Sequence, residues 1–109
     1  MTVEQLIKAT NLKPVCAPQP GREICGAYVG DLLSWVMGRA NEDNVWITIM
    51  SNSNIVAVAT LADVSCIILA EGVSPDEGVT ETANAKGVNI LSSEESAYGI
   101  AKMLSALNV

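Results

Sequence analysis

Three short apolar runs constrain this chain more than any other feature. They are Val45-Trp46-Ile47-Thr48-Ile49-Met50, Ser65-Cys66-Ile67-Ile68-Leu69 and Val88-Asn89-Ile90-Leu91. Their β-branched and aromatic content marks strands. The second run is continuously apolar, as expected of a strand covered on both faces. Each run is followed by a helical pattern. Ile55 to Ala62 is apolar almost all round and closes at Asp63, which predicts a buried or interfacial helix. Ser74-Pro75-Asp76-Glu77 reads as a helix start, with Ser at the cap, and the helix runs to Lys86 before Gly87 stops it. Ser92-Ser93-Glu94-Glu95 reads as the start of the last helix, with Ala97, Ile100, Ala101, Leu104 and Leu107 on one face. Strand–helix alternation of this kind predicts a mostly parallel sheet with helices on both faces. The expectation is a three-layer α/β/α domain of about four or five strands occupying residues 1–109.

The N-terminal part is less regular. Thr2 and Gln5 form a capping-box pattern ahead of Val3, Leu6 and Ile7, which predicts a first helix. Pro14 ends it, and Val15-Cys16 begins a short strand. Pro18-Gln19-Pro20-Gly21 is a loop, since these residues break both regular patterns. Val15 to Tyr28 has room for one or two short strands. Val29, Leu32, Leu33, Val36, Met37 and Ala40 recur at helical spacing, which predicts a helix from Val29. On that helix Tyr28, Asp31 and Trp35 fall away from the apolar stripe. Tyrosine and tryptophan on an outer face are enriched at protein interfaces, so these three residues are candidates for one. Cover by the 17–27 loop is the alternative for Trp35.

Composition narrows the function classes. Half the 109 residues are apolar and 17% are charged, against about 25% charged in an average domain. That surplus favours association with a second copy, a dimer first, or with another protein. The net charge is −6, and the six basic residues are scattered, so no nucleic-acid surface is expected. No apolar run approaches the roughly 20 residues that span a bilayer, and no signal peptide is expected, since Glu4 and Gln5 interrupt the first residues. The expected location is cytoplasmic. Histidine is absent, which removes the usual catalytic base and a common metal ligand. Cys16, Cys25 and Cys66 show no paired spacing, and buried or inert thiols are expected rather than a metal site or a disulfide. The carboxylate pairs Asp76-Glu77 and Glu94-Glu95 read as first-turn helix residues.

Ligands of open parallel sheets bind outside the carboxyl ends of the strands. Those ends should present Ser51, Asn52, Ser53 and Asn54, then Glu71 and Gly72, then Ser92 and Ser93. Helix N-termini at the same edge favour an anion, so a small phosphorylated or carboxylated ligand is the geometric expectation. Ordinary N-capping uses the same residue types and is the competing explanation.

The run from Gly26 to Met37 resembles the opening of the DRTGG domain family. The likeness continues through Trp46 to Asn52 and Ala62 to Gly72, and spans the chain from about Lys13 onward. The family is named for an Asp-Arg-Thr-Gly-Gly motif. The best match is Glu23-Ile24-Cys25-Gly26-Ala27, in which Gly26 is identical, making Gly26 a further candidate ligand residue. The resemblance implies an α/β domain similar to the N-terminal domain of HPr kinase/phosphorylase. Its relatives act as regulatory or assembly modules beside CBS domains or phosphotransacetylases. Kinase chemistry belongs to a separate domain with a phosphate-binding loop, and no G-x-x-x-x-G-K-[ST] occurs in this sequence. The reading is therefore a non-catalytic module that self-associates and modulates a partner, without a cofactor. The alternative is a small-ligand sensor for a nucleotide or phosphorylated metabolite.

Overall fold

The computed structural model describes residues 1–109. Its elements in chain order are α1 (Val3–Ala9), β1 (Lys13–Cys16), β2 (Ala27–Val29), α2 (Leu33–Arg39), β3 (Val45–Thr48), α3 (Asn54–Ala62), β4 (Cys66–Leu69), α4 (Val79–Lys86), β5 (Ile90–Ser92) and α5 (Ala97–Ala106). The strands form one sheet in the order β1-β5-β4-β3-β2. β2 to β5 are parallel, and β1 joins the β5 edge antiparallel. The α/β class and the mostly parallel sheet expected from the sequence are present.

The layers follow from strand order. β2, β3, β4 and β5 lie side by side in sequence order, so crossovers of one hand put their helices on one face. Accordingly Val36 of α2, Ile55, Val56 and Ala59 of α3, and Val79 and Ala83 of α4 pack against Trp46, Ile67, Leu69 and Ile90. The alternate strand residues Val45, Ile47, Cys66, Ile68 and Leu91 pack on the other face against Val3 and Leu6 of α1 and Ile100 and Leu104 of α5. β3 and β4 are buried along their whole length, which explains the unbroken apolar run of β4 and the nearly apolar run of β3.

Several boundaries differ from the sequence reading, each for a local reason. Val29 belongs to β2, not to a helix, because Ala27, Tyr28 and Val29 pair in parallel with Val45, Trp46 and Ile47. The helix begins at Leu33, and of the supposed stripe only Val36 is fully buried. Ser74-Pro75-Asp76-Glu77 is a loop. Asp76 donates its amide to the Ser51 carbonyl at 2.9 Å and accepts from the Ser51 hydroxyl at 2.9 Å, which holds the segment against the end of β3. α4 starts after Gly78, whose φ of 86° suits glycine. Ser92-Ser93-Glu94-Glu95 also precedes its helix. Ser96 is the cap of α5 and accepts from the Gly99 amide at 3.1 Å. Neither carboxylate pair therefore lies in a first helical turn. The capping box at Thr2 and Gln5 forms as read. Two short strands, β1 and β2, lie at the two ends of the region left open from Val15 to Tyr28 and extend slightly beyond it.

An ion-pair cluster closes the edge of the sheet where the parallel strands begin. Arg22 Nη2 lies 3.1 Å from Asp43 Oδ1 and 2.7 Å from Asp63 Oδ1, and also donates to the Asp63 carbonyl at 2.7 Å. Asp43 and Asp63 both have positive φ, at 67° and 57°, so one guanidinium ties two left-handed turns together. Burial works against the Arg22 charge, but its bonds and attraction to Asp63 and Asp43 prevail and raise its pKa.

Candidate functional site

The site is set by where the chain changes sides. After β4 the chain leaves for α4 on one face, and after β5 it leaves for α5 on the other. Diverging connections leave a crevice between the carboxyl ends of these neighbouring strands, the place where open α/β sheets take ligands. A cleft of about 350 Å³ occupies it. Its walls come from the β4–α4 loop (Gly72 to Pro75), the β5–α5 loop (Ser92 to Glu95) and the start of β1 (Asn11, Lys13 and Val15).

The loops are braced against each other. Glu71 donates its amide to the Glu95 carbonyl at 2.8 Å, and Gly72 donates to the Ser93 carbonyl at 2.9 Å. Gly72 has a φ of 69°, and a Cβ there would stand 2.5 Å from Glu94 Oε2. The dihedral favours glycine at this position, and any side chain there would displace the end of the exposed Glu94 side chain. The Ser93 hydroxyl accepts from the Glu95 amide at 3.0 Å, and the Ser92 hydroxyl lies 3.5 Å from the Lys13 carbonyl. Lys13 enters none of the four ion pairs of the chain. The cleft thus holds one free ammonium, the carboxylates of Glu94 and Glu95, and serine hydroxyls. That set suits a small polar ligand better than a multiply charged anion, because only one cation faces two carboxylates.

Of the residues expected from the sequence, Gly72, Ser92 and Ser93 line the cleft. Glu71 is at the same edge and braces it through its backbone. Ser51, Asn52, Ser53 and Asn54 follow β3 and stay outside it. Ser51 holds Asp76, and Asn52 Oδ1 accepts from the Asn54 amide at 2.9 Å. Ser53 borders a separate groove of about 320 Å³ between α3 and α4. Gly26 is at the opposite edge of the sheet. With a φ of 72° it turns the chain into β2, and its carbonyl accepts from Val45 at 2.9 Å. Sequence reasoning missed Asn11, Lys13 and Ser74 as cleft residues. The place of Asn11 and Lys13 depends on β1 joining β5, a pairing across some 75 residues with no local signal.

The three interface candidates do not share a helix face. Tyr28 is on β2 and half-buried, Asp31 is in the following turn, and Trp35 is on α2. Asp31 Oδ1 accepts from Thr48 Oγ1 at 2.8 Å and from the Ile49 amide at 2.9 Å, fixing the turn to the end of β3. Trp35 is 52% exposed, with the Arg39 guanidinium 3.7 Å above its ring. The 17–27 loop does not cover it. Cys16 and Cys66 are buried, and Cys25, in the loop before β2, is exposed; all three are free thiols. Burial pushes the Cys66 thiol up to about 12, against weaker lowering by Ser65 and Arg22.

Fold and cleft together define a small three-layer α/β module whose polar crevice opens at a change of chain direction. Residues 27–107 match the family profile described as the DRTGG domain, and the chain belongs to that family, one of regulatory domains. The match begins just after Glu23-Ile24-Cys25-Gly26, so most of the run taken as the family motif lies outside it. No curated protein matches the chain significantly. No helix is long and apolar enough to cross a membrane.

Proposed function

We propose that this chain is a non-catalytic regulatory module that self-associates and modulates a partner protein. One observation carries the reading: half of the exposed large apolar side chains lie on β2, α2 and the turn between them, while Leu61 and Tyr98 are exposed elsewhere. Val29 is 51% exposed, Leu32 59%, Trp35 52% and Met37 46%. Apolar surface gathered on neighbouring elements favours association. Three free thiols suit a reducing, cytoplasmic setting. Light scattering is the test. The expected result is twice the monomer mass at about 100 µM, and a monomer at that concentration overturns the reading.

A second reading rests on the cleft between β4 and β5. It takes a small polar ligand there and reports its presence through the braced β4–α4 and β5–α5 loops. Thermal-shift measurements with nucleotides, sugar phosphates and amino acids test it. A ligand at 100 times its dissociation constant stabilises the fold by about 2.7 kcal/mol, so a clear rise in Tm is expected. Loss of that rise in Lys13→Ala supports the cleft. The absence of any shift at millimolar ligand rejects this reading.

A further inference from the structure

The two edges of the sheet are built differently. β1 carries Lys13 and Pro14, and its register with β5 is broken between Pro14 and Cys16. A lysine, a proline and an irregular register are devices that prevent an edge strand from pairing with another chain. β2 has none of them. Its residues are Ala27, Tyr28 and Val29.

The backbone of β2 is open on its outer side. Val45 donates to the Gly26 carbonyl and Gly30 donates to the Ile47 carbonyl, so residues 26, 28 and 30 turn their polar groups toward β3. Strand alternation then turns the N–H and C=O of Ala27 and Val29 outward. Both residues are exposed. Leu32 and Trp35, in the turn and helix that follow β2, are exposed as well.

We infer that β2 pairs antiparallel with β2 of a second copy, about a two-fold axis through Tyr28, making one continuous sheet across a dimer. This rests on the self-association proposed above and specifies its geometry. Around such an axis Ala27 faces Val29 of the other copy, and each pair exchanges both backbone bonds, while the two Tyr28 residues form the non-bonded pair between them. The outward groups therefore complement themselves. A three-residue strand matches a copy of itself in length, whereas an extended peptide would outrun it. The contact is isologous, as closed dimers require.

Amide hydrogen exchange on the full chain, read by NMR beside light scattering, tests the pairing. The expected result is a dimer in which the Ala27 and Val29 amides exchange at least about tenfold more slowly than after dilution to monomer. Leu32→Glu with Trp35→Glu should give a folded monomer, and Tyr98→Glu, at an exposed position on α5, should remain dimeric. A monomer at all concentrations overturns both self-association and the strand pairing. A dimer whose Ala27 and Val29 amides exchange as fast as in the monomer overturns the pairing alone. So does a dimer abolished by Tyr98→Glu and kept by the double variant.

Discussion

Two buried or half-buried side chains set conditions on stability at the scale of single residues. Cys66 is packed between β3 and β5 and keeps its proton because an ionised thiolate there would lose its hydration. Its pKa is raised in the folded chain, to about 12, so the folded state binds the proton more tightly than the unfolded one. The stability this contributes is complete below the ordinary thiol value. It is lost as pH rises from there toward 12, by up to about 1.4 kcal/mol per pH unit. Urea denaturation between neutral pH and moderately alkaline pH should therefore show a shallower alkaline decline in Cys66→Ala than in the parent chain. Arg22 joins two left-handed turns through Asp43 and Asp63, with its own side chain mostly buried and Asp63 more exposed. Arg22→Met should cost about 1–2 kcal/mol, the range of charged hydrogen bonds discounted for solvent screening. Urea midpoints of the two chains give that difference.

At the scale of elements, helix starts are where structure and sequence part. Ser96 caps α5 through its side chain, whereas Ser74 stands in a loop four residues before the Gly78 cap of α4. Ser96→Ala should cost about 1 kcal/mol. Ser74→Ala should stay within about 0.5 kcal/mol. The same denaturation measurement distinguishes them. Both Ser74-Pro75-Asp76-Glu77 and Ser92-Ser93-Glu94-Glu95 have capping chemistry, but Ser51 recruits Asp76, and Gly72 recruits the Ser93 carbonyl, before either helix can begin. Such contacts join residues from different strands and leave no local trace. β3, β4 and β5 were legible because burial on both faces demands runs dominated by apolar residues. β2 was not, since Val29 happens to fall in helical phase with Leu33 and Val36. Of the cleft, Gly72, Ser92 and Ser93 could be read from their place after strands. Asn11 and Lys13 could not, because only the pairing of β1 with β5 carries them there.

At the scale of the whole molecule, the sheet is covered unequally. α2, α3 and α4 share one face and α1 and α5 the other, and β3 and β4 are sealed between them. Local opening is cheapest where few buried apolar contacts hold the backbone. Native-state hydrogen exchange should accordingly leave the amides of Trp46, Ile47, Ile67 and Ile68 protected longest, with those of β1 released early. The bulge at Pro14 and the short ladder to β5 make that edge the weaker one in isolation.

The placement of β1 has a mechanical consequence. Lys13 pairs with Ser92, so the chain toward the N-terminus and the chain toward the C-terminus leave the β1–β5 ladder at the same end. Tension applied between the termini would load its hydrogen bonds one after another, as in opening a zip, rather than all together in shear. Under traction this domain should yield at the β1–β5 seam at low force, before the parallel strands feel the load.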